Sequence, residues 1–92
     1  MIDSESRAAV RLFICENFLV EDRDFGDDDS LLKREIMDST GILEVISFLE
    51  AHFSIKVSDE EVVPANLDSV SAICAFVFKK LQATVQSSPH AG

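Results

Sequence analysis

Four residues, Asp38-Ser39-Thr40-Gly41, stand immediately ahead of an apolar stretch with helical spacing over residues 42–53. Ile42, Ile46, Leu49 and Phe53 fall at i, i+4, i+7 and i+11, one stripe of a helix, while Glu44, Ser47, Glu50 and Ala51 fall on its other sides. This places Ser39 at a helix entrance, where two chemistries meet. A serine there can cap the helix by accepting a hydrogen bond from a first-turn N–H, and a helix N-terminus also favours a phosphate held beside it. Ser39 is therefore either a cap or the bearer of a phosphoryl group. Asp38 is either a polar loop residue or a contact or metal-facing group for the enzyme that modifies its neighbour.

The dipeptide Asp-Ser is weak on its own, because it recurs at Asp3-Ser4, Asp29-Ser30 and Asp68-Ser69. Asp68-Ser69 also heads an apolar helix, but the final one, where a serine cap without chemistry is the better reading. Asp29-Ser30 precedes two leucines inside an irregular connection. The carboxylates of Asp22, Asp24, Asp27, Asp28 and Asp29 are oxygen donors of the kind calcium takes. Counting from Asp22, however, puts Gly26 at position 5 and Lys33 at position 12, where an EF-hand needs Gly at 6 and Glu at 12. A solvated acidic loop is expected there, and no metal site. Cys15 and Cys74 lie in apolar helical patterns without CxxC spacing or a paired histidine motif, which predicts buried free thiols. No G-x-S-x-G elbow, H-E-x-x-H or Gly-rich phosphate loop occurs, and the two histidines are His52, a partly exposed helix residue, and His90, near the C-terminus. No catalytic residue is expected, so the chain reads as something other than an enzyme.

A length of 92 residues suits one domain with a modest core. The net charge of −9 repels nucleic-acid backbones and anionic membranes, and predicts partners with basic patches. A hydrophobic content of 47% argues against global disorder, and with no Trp or Tyr the seven Phe are the aromatic packing material. The N-terminus has no basic region followed by an apolar one, and no run of about 18 apolar residues appears, so a cytoplasmic monomer is expected.

The elements that would position Ser39 follow from periodicity. Residues 4–19 read as a first helix with Val10, Phe13, Ile14 and Phe18 as its core stripe. Residues 20–37 form a long polar connection tacked down by Leu31, Leu32 and Ile36, with a short helical turn near Leu31. After the helix of residues 39–53, Ser58-Asp59-Glu60-Glu61 has the capping-box pattern and opens a brief helix that Pro64 must end. Asn66-Leu67-Asp68-Ser69 starts the last helix, which buries Val70, Ile73, Cys74, Val77, Phe78 and Leu81 and places Lys79-Lys80 near its end. The expected fold is all-α, a small four-helix bundle of three main helices and one short one. It is a single domain over residues 1–82 followed by a flexible polar tail over 83–92, and Phe13, Phe18, Leu49, Phe53, Val70 and Val77 are its expected buried side chains.

Asp38-Ser39 at the head of the second helix, Glu44 and Glu50 along it, Phe53 closing it and Val57-Ser58-Asp59-Glu60-Glu61 after it resemble the acyl carrier proteins over nearly the whole chain. The resemblance implies that a phosphopantetheinyl transferase attaches 4′-phosphopantetheine from coenzyme A to Ser39, beside Asp38. The arm's terminal thiol then holds an acyl group as a thioester. It further implies contacts with partner enzymes through Thr40, Glu44, Ser47, Glu50, Asp59 and Glu60, with Glu61 adding to an anionic face that steers a basic surface. The implied partners are an adenylate-forming acyl ligase or an acyltransferase, and downstream synthase enzymes of lipid, fatty-acid, polyketide or other secondary-metabolite biosynthesis. Where the family commonly has Leu-Gly-x-Asp-Ser-Leu, this chain has Glu35-Ile36-Met37-Asp38-Ser39-Thr40, and Ala51 replaces a common acidic residue. Gly41 is a further departure, since Gly weakens a helix interior. Asp-Ser-Thr-Gly followed by Ile-Leu-Glu is similar to small discrete carriers that work outside core fatty-acid synthesis. The alternatives are an aminoacyl or peptidyl carrier, and an acidic helical module that only binds another protein.

Overall fold

Val10 and Ile14, only 1% and 0% exposed, turn the first helix, α1 (Ser4–Phe18), into the core. The computed structural model describes the backbone of residues 4–91 and the side chains of residues 4–82. α1 ends one residue earlier than its periodicity predicts. Leu19 adopts a left-handed φ of 57°, and the Val20 N–H donates back to the Cys15 carbonyl at 3.3 Å, which closes the helix end. α2 (Ser39–Phe53) buries Gly41, Ile42, Val45, Ile46 and Leu49 and ends at Ser54, also left-handed. α3 (Pro64–Leu67) is a single turn with proline at its first position, where a missing N–H costs no helical bond. α4 (Val70–Ala91) completes the fold, α1 packs along it and against α2, and α3 folds onto its start. Two 3₁₀ turns, Asp22–Asp24 and Asp59–Glu61, lie in the connections, and no strand occurs among the described residues. The all-α arrangement of three main helices and one short one is the predicted one.

The differences lie at the joints. The brief helix expected after Ser58 is a 3₁₀ turn in which the Ser58 N–H donates to Glu61 Oε1 at 3.0 Å, and the short α-helix follows Pro64 instead of preceding it. The last helix starts at Val70, not Asn66, because Asp68 N–H donates to the Pro64 carbonyl and closes α3 first. α4 continues to Ala91, past the expected end near Gln82. The flexible tail over 83–92 and the position of His90 concern side chains outside the described residues.

Leu49, Val70 and Val77 are fully buried as expected, but Phe13, Phe18 and Phe53 are only partly so. These rings sit at the helix seam instead of the core centre. Phe13 stacks on Phe48 with centroids 4.4 Å apart, Phe18 meets Phe13 edge-on, Phe53 meets Phe48 edge-on, and exposed His52 stacks on Phe48. Val45 and Phe76, at 1% and 6% exposure, take deep positions that the predicted stripes leave out, whereas Phe78 is partly exposed and Leu81 exposed.

Residues 20–37 depart furthest from expectation, because much of the acidic loop is committed to two arginines on α1. Arg11 donates to Asp22 Oδ1 and Asp27 Oδ1, each at 2.6 Å, and to the carbonyls of Asp22 and Phe25 at 2.6 and 2.8 Å. Its guanidinium carbon lies 4.3 Å from the Phe25 ring centroid. Burial by itself lowers the Arg11 pKa, but the hydrogen bonds to Asp22 and Asp27 outweigh it and hold the group above its ordinary value. Asp27 shows the reciprocal effect: burial pushes its carboxyl up, while the bonds from Arg7 and Arg11 pull it below the ordinary range. Phe25, Leu31 and Met37 are thereby drawn into the core, with Leu32 and Ile36 packed at its edge. Where a short helical turn was expected near Leu31, the chain makes a non-helical turn, the Leu31 carbonyl accepting from both the Ile36 and the Met37 N–H groups. No described helix is long and apolar enough to cross a membrane.

Candidate functional site

The first turn of α2 is capped by Asp38, not by Ser39. Asp38 has extended backbone and its Oδ1 accepts from the Gly41 N–H at 2.8 Å, while its carbonyl accepts from the Ile42 N–H at 3.2 Å. Ser39 is the first helical residue, and the reading of Ser39 as the cap is therefore corrected. The physical reason is where helical backbone begins: the cap is the residue just outside the helix, and α2 starts one residue earlier than a Ser39 cap would require, which puts Asp38 there. Ser39 is exposed, and its hydroxyl has no hydrogen bond among the described residues. The Ser39 and Thr40 N–H groups likewise have no protein acceptor among the described residues, so two donors at the positive end of a 15-residue helix lie beside that hydroxyl.

Gly41 is explained by the same turn. A Cβ there would lie 2.8 Å from Met37 Cγ and 2.8 Å from Phe18 Cε1. The end of α1 and the end of the long connection thus press directly on the α2 backbone one turn inside its start. A glycine inside a helical pattern is a signal of such close approach, and it is the feature through which the sequence could have revealed this contact.

At 3.6 residues per turn, Ser39, Thr40, Leu43, Glu44, Ser47, Glu50 and Ala51 occupy one continuous arc of α2, opposite the buried Gly41, Ile42, Val45, Ile46 and Leu49. Thr40, Glu44 and Ser47 are exposed, as are Asp59 and Glu60 in the second 3₁₀ turn. Glu50 is half-buried and accepts from the Val57 N–H at 2.9 Å, so it holds the connection after α2 in place. Glu61 is also engaged. It accepts from Lys80 Nζ at 2.9 Å, and this bond, with the Ser58 N–H, holds its carboxyl below the ordinary range. Among the described residues, the carboxylates of Glu44 on α2 and of Asp59 and Glu60 in the second 3₁₀ turn are exposed and have no partner. Leu43, 59% exposed within the arc, did not figure among the expected contact residues.

The chain matches no protein-family model and no curated protein.

An open groove of about 500 Å³ adjoins Ser39, lined by Phe18, Leu32, Glu35, Ile36, Met37 and Asp38. None of these except Asp38 figured among the expected site residues; Phe18 comes from the end of α1, and Leu32, Glu35, Ile36 and Met37 from the connection that leads into α2. The other Asp-Ser pairs are engaged differently. Ser69 Oγ accepts from the Ala72 N–H at 3.1 Å and is a true cap, as expected. Ser30 donates to the Asp68 carboxylate. Of the two thiols, Cys74 is buried and Cys15 only half so; burial raises both pKa values, which keeps them protonated and unreactive. Asp22 and Asp27 are taken up by Arg11, and Asp29 by the Gly26 N–H and Arg34.

Proposed function

We propose that this chain is an acyl carrier protein whose Ser39 bears 4′-phosphopantetheine. It is a carrier and not an enzyme: a phosphopantetheinyl transferase modifies it, an adenylate-forming acyl ligase or an acyltransferase charges it, and downstream synthase enzymes of lipid or secondary-metabolite biosynthesis unload it. The observation that carries the reading is the division of labour at the start of α2, where Asp38 caps and leaves the exposed Ser39 hydroxyl unengaged. The residues fit the group. Ser39 supplies an accessible oxygen, and the first-turn N–H groups of α2 face the phosphodiester that would form there.

In that modification, Ser39 Oγ forms a bond to the phosphorus that carries pantetheine in coenzyme A. The P–O bond to the adenosine bisphosphate breaks, that group leaves, and the serine proton passes to a base of the transferase. The bound arm supplies a terminal thiol that holds an acyl group as a thioester. The chain's own contribution is to present Ser39 on a rigid helix end and to offer the face around Thr40, Leu43, Glu44 and Ser47, with Asp59 and Glu60 nearby in sequence after α2. The free carboxylates steer a basic partner, and Leu43 gives it an apolar contact.

Intact mass after incubation with coenzyme A and a broad-specificity transferase tests the reading. Wild type and Ser69→Ala should each gain one phosphopantetheine, and Ser39→Ala none. Modification that survives in Ser39→Ala overturns the assignment, and a wild-type chain that gains nothing leaves the acidic interaction module as the better reading.

A further inference from the structure

We infer that the groove between the end of α1 and the start of α2 seats the part of the phosphopantetheine arm nearest the phosphate, the pantoyl segment with its two geminal methyl groups. The inference rests on the reading of Ser39 as the attachment site. Ser39 is itself part of the groove wall, so a group leaving its oxygen starts inside the groove. The apolar lining comes from Phe18, Leu32 and Ile36, all incompletely covered by the protein, above the buried Met37.

Each part of the pantoyl segment has a counterpart there. Two methyl groups on one carbon present compact apolar surface, which gains by covering the exposed parts of Phe18, Leu32 and Ile36. The segment's hydroxyl and the amide N–H that follows are donors, and the groove rim offers carboxylate acceptors: Glu35, and the Asp38 oxygen that the Gly41 N–H does not use. These two carboxylates disfavour the phosphate itself, which the Ser39 and Thr40 N–H groups favour at the helix end. The phosphate therefore stays over the helix and the neutral segment enters the groove.

A second opening lies further along α2, lined by Ser47, Glu50, Ala51, Ile55 and Lys56. Ser47 is eight residues from Ser39, about 12 Å along the helix at 1.5 Å per residue. That distance lies beyond the few bonds that separate the phosphate from the methyl pair, so this opening competes only for the distal arm.

The test is an isotope-filtered NMR experiment on the full chain after modification with coenzyme A labelled in its pantetheine. Nuclear Overhauser contacts should connect the geminal methyl protons with the Phe18 ring and the Leu32 and Ile36 methyl groups. The amides of Leu32, Ile36 and Met37 should shift between unmodified and modified protein, while those of Ser47 and Ile55 stay in place. Ile36→Gln, at a partly exposed position, should still accept the arm by mass yet lose these contacts. Complete modification with shifts confined to residues 38–41, or with contacts to Ser47 and Ile55, overturns the groove and leaves the carrier reading intact. No mass gain in the wild type overturns both.

Discussion

Asp38-Ser39 and Asp68-Ser69 are the same dipeptide before an apolar helix, yet the two residues exchange roles between them. At α2 the aspartate caps, through Oδ1 to the Gly41 N–H, and the serine is exposed and unengaged. At α4 the serine caps, through Oγ to the Ala72 N–H, and the aspartate is turned away to bind Ser30 Oγ and the Leu32 N–H. A one-residue difference in where helical backbone begins decides which side chain is consumed by the first turn. The surroundings enforce it. Around α4 the long connection is stitched to the helix start by Leu31 N–H to the Asp68 carbonyl at 2.7 Å and Ser71 N–H to the Asp27 carbonyl at 2.8 Å. At α2 the same connection instead packs Met37 against Gly41 and leaves Ser39 in the open. One helix start is a joint and the other is a platform.

The contrast predicts a graded response to truncation. Asp68→Ala should be the most damaging, since it strands the Ser30 hydroxyl and the Leu32 N–H at a half-buried joint. A loss of about 2 kcal/mol and a Tm drop of about 10 °C are expected in thermal unfolding. A loss within experimental error would mean that the joint is held by packing alone.

Removing either cap should cost less. Asp38→Ala and Ser69→Ala should each lose about 1 kcal/mol in urea unfolding, whereas Ser39→Ala should stay within about 0.5 kcal/mol of wild type. If Ser39→Ala is as costly as Ser69→Ala, the hydroxyl at position 39 is consumed by the fold and the two helix starts are equivalent after all.

Acid provides the smallest and most local perturbation. Asp27 has a folded pKa below its ordinary value of 3.8, so the unfolded chain binds the proton more readily. The stability that Asp27 contributes is thus fully present above that value and is lost as pH falls through the lower folded value. Amide exchange at Ser71 and Leu31 should therefore accelerate below about pH 4, ahead of exchange at Ile42 and Val45. Asp27→Asn should remove this pH dependence; equal acid sensitivity at both helix starts would break the comparison.

Much of this was legible from residue order. The stripes Val10 and Ile14, Ile42 to Leu49 and Val70 to Val77 follow the helical period, and all are buried. The capping box at Ser58 and the stop at Pro64 were visible, but they produced a 3₁₀ turn followed by a one-turn helix, because pairs of short elements compete for the same few residues. The place of Ser39 at the start of the second helix was legible too, since one of the Asp-Ser pairs stands directly before that helix. Whether Ser39 caps was left open, because a cap is defined by the backbone conformation of a single residue, which composition and periodicity do not specify.

By itself the sequence determined that the chain is helical, where its main helices lie, and that Ser39 stands at the start of one of them; local periodicity and turn residues suffice for that. Only the tertiary structure decided what surrounds that serine. Arg11 gathers Asp22, Asp27 and the Phe25 carbonyl across 11 to 16 residues of chain, which converts an acidic run into an ordered connection. That connection delivers Leu32, Ile36 and Met37, and α1 delivers Phe18, to the groove beside Ser39. Leu32, Ile36 and Met37 are sequence neighbours of Ser39, but the approach of Phe18 and the ordering of the connection by Arg11 join residues far apart in the chain, which no local pattern encodes.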